Sequence, residues 1–142
     1  MFSEFIYDRF PKVYVKFNGV IENEAEFDDF IRRWIELYDD KREFTFIFDT
    51  REMGIMGVKY CKKMADFIKS IKQRDTQYLQ RSIIIVKNTY IKWLLWLIFT
   101  LESPVAPVYI TDIHHNFMID FMYNKILNNE RLTDDVIVIH PK

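Results

Sequence analysis

Few side chains in this chain have the type and spacing to do chemistry. Asp49, Thr50, Arg51 and Glu52 follow an apolar run, Phe44-Thr45-Phe46-Ile47-Phe48, that reads as a β-strand. Ligands of α/β sheets usually bind where such strands end. Asp49 would serve there as acid, base or metal ligand, and Arg51 as an anion contact. The plainer reading makes Asp49 a turn cap and its neighbours solvated loop charges. No histidine, phosphate loop or nucleophile accompanies them, which favours the plainer reading. His114-His115, with Asp112, raise the question of a metal. Adjacent helical residues point about 100° apart, whereas chelation suits i, i+4 pairs, so surface histidines are expected. Cys61 falls on the apolar stripe of a helix, where cysteine packs as a small hydrophobe. Glycine-rich nucleotide motifs, H-E-x-x-H and G-x-S-x-G are absent from the sequence. The expectation is no catalytic residue, no metal and no cofactor.

Charge narrows the partners. Lys59, Lys62, Lys63 and Lys69, with Lys72 and Arg74, form a basic band on one helix. It would suit an anionic surface, or it serves only to keep the helix solvated. Twenty basic against twenty-one acidic residues give a net charge of −1. That balance argues against a general nucleic-acid binder, which needs a basic excess. A single cysteine excludes an internal disulfide and suggests a reducing, cytoplasmic setting. The first residues, Met1 to Phe5, include Glu4 and do not read as a signal peptide. The longest apolar run, Trp93 to Phe99, is far short of the roughly 20 residues a membrane span requires.

The elements that position these residues follow from periodicity. One domain over 1–142 is expected, with 1–10 as an arm or short strand and 130–142 as a tail holding an edge strand. Val13, Val15 and Phe17 alternate with polar residues as in a half-buried strand, and Asn18-Gly19 reads as a turn. Asn23, with Glu26 three residues on, predicts a capped helix facing inward through Phe27, Ile31, Trp34, Ile35 and Tyr38. After the strand at 44–48 and a connection over 50–57, a helix from about Val58 to Gln73 turns Val58, Cys61, Met64, Ala65, Ile68 and Ile71 inward. Ser82 to Val86 and Val108 to Ile110 read as buried strands. A last helix is expected to face inward through Phe117, Met118, Phe121, Met122 and Ile126. Strands alternating with helices predict an α/β fold with a mostly parallel sheet of four to six strands and about four helices.

One helix breaks the pattern. Tyr90 to Leu101 has helix length but is apolar almost all the way round. A helix covering one sheet face needs only a stripe. Some of Tyr90, Trp93, Leu94, Trp96, Leu97 and Leu101 must therefore meet something else. A protein interface is the leading reading. Cover by the N-terminal arm (Phe2, Phe5, Ile6, Phe10) or the tail, and peripheral membrane or lipid contact, are the others.

Three stretches resemble the STAS domain, and most closely the small bacterial STAS-like proteins grouped with the CRAL-TRIO lipid-transfer fold. They are Phe44 to Asp49, a central strand ending in Asp; Ser82 to Lys87, the next strand; and Tyr90 to Ile110, an apolar helix with Trp93 and Trp96 followed by the strand led by Pro107. The resemblance spans roughly residues 10–127 and implies a non-enzymatic regulatory or binding domain. Two departures limit it. The family's phosphorylatable Ser or Thr is missing from Gly54-Ile55-Met56-Gly57-Val58-Lys59-Tyr60, so the phospho-switch is not carried over. The chain is also too short for a full lipid-enclosing pocket.

The sequence is thus read as a STAS-like interaction or assembly module. It would use the Trp-rich helix as contact surface and self-associate as an isologous dimer burying on the order of 1,200 Å² or more. A place in a large particle or virion is a variant of that reading. Two alternatives are a ligand- or lipid-binding groove between that helix and the last one, and an enzyme built on Asp49.

Overall fold

The computed structural model describes residues 2–112 and 116–142. The chain runs β1 (Ser3–Ile6), β2 (Lys12–Gly19), α1 (Glu24–Asp39), β3 (Phe44–Met53), α2 (Val58–Lys72), β4 (Leu79–Ile85), α3 (Thr89–Leu101), β5 (Val108–Thr111), α4 (Asn116–Leu127) and β6 (Ile137–Ile139). The strands form one sheet in chain order. β2 to β5 are parallel, while β1 and β6 lie antiparallel at the two edges. The expected α/β class, mostly parallel sheet and four helices are present.

Sequential order decides the layering. Each parallel step advances the same way, so right-handed crossovers set α1, α2 and α3 on one face. The packing agrees. Phe30 and Trp34 of α1, Cys61 and Ile68 of α2, and Leu94 and Ile98 of α3 share one core with Val15, Phe46, Phe48, Ile84 and Ile110. On the other face Ile47, Ile83 and Ile85 lie under Ile119, Met122 and Tyr123 of α4. Because the strand order never reverses, the sheet has no switch point, the crevice where open α/β sheets usually hold ligands.

Local signals explain most element starts. Asn23 caps α1 by accepting a hydrogen bond from the Glu26 N–H at 3.1 Å. Glu26 accepts in turn from the Glu22 N–H at 2.8 Å. Asn88 caps α3 in the same way, accepting from the Ile91 N–H at 3.0 Å. α1 buries Phe27, Phe30, Trp34, Leu37 and Tyr38. The stripe is therefore rotated from the expected one, leaving Ile31 and Ile35 half-buried. α2 buries Tyr60 and Phe67 beside Cys61, Ala65, Ile68 and Ile71, with Val58 exposed.

Three expectations need correction. β3 does not stop at Phe48. It continues to Met53, because β2 runs on through Asn18 and Gly19 and pairs them with Glu52 and Met53. Gly19 sits at φ 63°, and its carbonyl accepts from the Gly54 N–H at 2.7 Å. A Cβ on Gly54 would come within 2.8 Å of the Val20 side chain, so a larger residue there would force Val20 to shift. Second, α4 presents Ile119, Met122 and Tyr123 to the sheet and leaves Phe117, Met118 and Phe121 exposed. Asp120 is consistent with this rotation. Its carboxylate accepts from Arg9 at 3.0 Å and Lys12 at 2.9 Å, which draws it towards the β1–β2 side. Third, no groove runs between α3 and α4, since the sheet stands between them.

Candidate functional site

α3 separates into an inner and an outer half. Ile91, Leu94 and Ile98 are buried on the sheet, and Leu94 is only 1% exposed. Tyr90 (37%), Trp93 (46%), Trp96 (60%) and Leu101 (51%) are exposed, with Leu97 half-buried between them. At 100° per residue the outer group spans an arc of about 140°. Thr89 and Thr100 are the polar residues within that arc, and the Thr100 hydroxyl donates to the Trp96 carbonyl at 2.7 Å. Thr100 thus satisfies its own hydroxyl donor within the helix. Among the six residues expected to form the surface, Leu94 is a core residue instead, since its position on the helix lies directly over the sheet.

The surface continues past the helix. Tyr90 stacks on Trp93 with ring centres 6.1 Å apart, and its hydroxyl donates to the Met56 carbonyl at 3.0 Å. That bond ties the start of α3 to the β3–α2 connection, where Ile55 and Val58 are also exposed. The sequence reading missed both. Val58 has the phase of the α2 inner stripe but stands at the first helical position and is 59% exposed. Ile55 is bracketed by Gly54 and Gly57, and no periodicity marks it.

The other expected sites are differently occupied. Asp49 and Arg51 sit two apart on a strand, on the same face, and grip each other. The Arg51 guanidinium donates to both Asp49 carboxylate oxygens at 2.9 Å, and the Arg51 N–H adds a third bond at 3.0 Å. Burial pushes the Asp49 carboxyl up, but the bonds and charge of Arg51, with the charge of Lys16, outweigh it and hold the group below its ordinary value. A carboxylate so engaged is a poor proton carrier at neutral pH. Thr50 is buried, its hydroxyl donating to the Ile85 carbonyl at 2.7 Å, so its polar group is taken up between strands.

The basic band is largely neutralised. Lys63 and Lys59 reach Glu24 of α1 at 3.0 and 3.5 Å, and Lys62 reaches Asp66 at 2.6 Å. Lys72 bonds Glu102 at 2.7 Å and ties α2 to the end of α3. Lys69 remains exposed. Burial raises the Cys61 thiol pKa, which disfavours the reactive thiolate. Among the described residues no three His, Cys, Asp or Glu side chains gather closely enough to hold a metal. His114 and His115 lie outside the described residues. No helix among the described residues is long and apolar enough to cross a membrane.

An apolar cavity of about 110 Å³ lies between the sheet and the three-helix layer, lined among others by Trp34, Phe48, Met64, Ile68, Leu95 and Ile98. The N-terminal segment does not cover α3. Phe2 and Phe5 instead pack against Phe17 and Phe30 at the β1 edge. No family model, no curated protein and no solved structure matches the chain.

Proposed function

We propose that this is a non-enzymatic protein-interaction or assembly module of STAS-like type that docks through the outer face of α3. One observation carries the reading: four large apolar side chains and a half-buried leucine share an arc with no charged residue. Leaving that much apolar surface in water is unfavourable by roughly 25 cal/mol per Å². Contiguous patches of this kind mark contact sites far more often than they occur idly. The order of elements and the three parallel crossovers support the STAS-like assignment; the engaged Asp49 supports a non-enzymatic role.

Light scattering behind size-exclusion chromatography tests the docking face. The expected result is association of the wild type at micromolar concentration and a folded monomer for the Trp93→Ser/Trp96→Ser double variant. A double variant that unfolds would make the tryptophans core residues and sink the reading.

The apolar cavity favours a second reading, a small-ligand or lipid-binding domain. At about 110 Å³ it is well below the roughly 300–1,000 Å³ of ordinary ligand pockets. It would hold a short apolar group, not a whole lipid. Native mass spectrometry of the freshly purified protein would reveal a retained ligand, and a bare chain mass would remove this reading.

A further inference from the structure

Two departures from close packing coincide in the core. The cavity between the sheet and the three-helix layer, about 110 Å³, is several times the roughly 30 Å³ that a water molecule occupies. Protein interiors hold few voids larger than one water, because atoms lining a void lose contacts on one side. Ser82 lines this cavity, is 4% exposed, and its hydroxyl makes no hydrogen bond among the described residues. A buried hydroxyl without a partner is likewise unfavourable.

The strand accounts for both. Within β4, Ser82-Ile83-Ile84-Ile85 send alternate side chains to opposite faces. Ile83 and Ile85 go to the α4 face, and Ser82 and Ile84 to the face under α1, α2 and α3. Ser82 stands between Phe46 of β3 and Val108 of β5, and its N–H donates to the Pro107 carbonyl at 2.9 Å. A valine there would fill space and leave no polar atom unpaired. The serine gives up that volume and supplies a hydroxyl at the same point.

The lining dictates what fits. No charged side chain borders the cavity. Thr50 lines it too, but its hydroxyl is engaged by the Ile85 carbonyl. The Trp34 indole N–H is enclosed by protein atoms and does not open on the cavity. A trapped water needs two to four polar partners, so a site with one free hydroxyl suits it poorly. An ion would be buried without compensation. An apolar cavity of about 150 Å³ takes benzene, so one of about 110 Å³ suits roughly five or six non-hydrogen atoms. Met53, Met56 and Met64 line the cavity and are half-buried, which places flexible side chains between it and solvent where they can yield to a guest.

Resting on the small-ligand reading of this cavity, we propose that it binds an uncharged molecule of about six non-hydrogen atoms, apolar except for one oxygen that hydrogen-bonds the Ser82 hydroxyl. Ser82 is then the specificity-determining residue. It donates to a carbonyl or pairs with an alcohol, and it offers nothing to a hydrocarbon. Such a guest restores the contacts the walls lack and pairs the hydroxyl.

Cyclopentanol and methylcyclopentane, matched in size and differing by one oxygen, test the proposal. Each is titrated into protein with isotope-labelled methionine methyl groups, and saturable shifts of the Met53, Met56 and Met64 signals report binding. Cyclopentanol should bind the wild type and lose about ten-fold in affinity in Ser82→Ala, the scale of one hydrogen bond. Methylcyclopentane should bind Ser82→Ala as well as the wild type or better. Ser82→Val should bind neither and melt at a higher temperature than the wild type, the signature of a filled cavity in an intact fold. Saturable binding of both guests with an equal response to Ser82→Ala overturns the role of Ser82 and leaves an apolar ligand cavity standing. Saturable shifts from neither guest remove the cavity as a ligand site, and this inference with it.

Discussion

α2 and α3 lie side by side on the same sheet face and do the same packing work, yet their outer surfaces differ. α2 faces water with Lys59, Lys62, Lys63, Asp66 and Lys69, three of whose lysines are neutralised by Glu24 or Asp66. α3 faces water with Tyr90, Trp93, Trp96 and Leu101. The inner halves follow from the same need to cover a sheet made of Phe, Ile and Val. Only the outer halves differ, and nothing in the fold requires the outer half of α3 to be apolar. That difference is the observation on which the proposed docking role of α3 rests.

The comparison can be sharpened or broken by substitution. The largest effect is expected inside α3. Leu94→Ala removes a fully buried side chain and should cost about 2–5 kcal/mol in chemical denaturation, comparable to Ile68→Ala in α2. If Leu94→Ala were nearly neutral, α3 would not be a sheet-covering helix like α2.

Capping comes next. Asn88→Ala, which deletes the bond to the Ile91 N–H, should cost about 1 kcal/mol. α2 begins at Gly57, which makes no side-chain cap bond and has open space at its Cβ position. Gly57→Ser should therefore gain a few tenths of a kcal/mol. Paired melting curves of the two variants would measure this asymmetry between the helix starts.

The outer faces should differ in kind rather than size. Trp96→Ser should change unfolding free energy by less than about 1 kcal/mol while weakening self-association at least ten-fold by analytical ultracentrifugation. Lys62→Ala, on the outer face of α2, should move stability by no more than about 0.5 kcal/mol and leave association unchanged. Equal effects of the two substitutions on association would dissolve the contrast.

Acid should act away from both helices, on the sheet. The Asp49 carboxyl is held below 3.8 in the folded chain, so its contribution is complete above that value and fades as the pH falls through the lower folded value. Asp120 is lowered too, first by the Lys12 hydrogen bond, so it loses its contribution in the same direction. The thermal midpoint should therefore drop below about pH 4, with a shallower drop in Asp49→Asn. An unchanged pH profile in that variant would mean that Arg51 does not hold Asp49 in solution.

Period and capping made much of the architecture legible. Val13, Val15 and Phe17, the Asn23 and Asn88 caps, and the strands around Phe46, Ile84 and Val108 were readable because they depend on neighbours a few residues away. Where the sequence reading slipped, a distant partner decided. β3 extends to Met53 because Gly19 and Gly54 meet across strands. α4 has apolar residues around most of its circumference, so its own pattern could not choose a buried face; contact with Ile47, Ile83 and Ile85 of the sheet takes Ile119, Met122 and Tyr123. The Asp49–Arg51 pair was read as a turn cap beside solvated loop charges because sequence alone does not show that the strand runs on and sets the two side chains on one face.

For α3 the sequence by itself determined that an apolar circumference could not all be buried on one sheet face, since a helix has only one side to give. Only the tertiary structure decided which residues were left outside, for that depends on the direction in which the sheet approaches. Ile91, Leu94 and Ile98 went inward, and Trp93, Trp96 and Leu101 stayed in water. The place of β6 at the sheet edge was likewise decided by strand order, which arises from contacts between segments far apart in the chain.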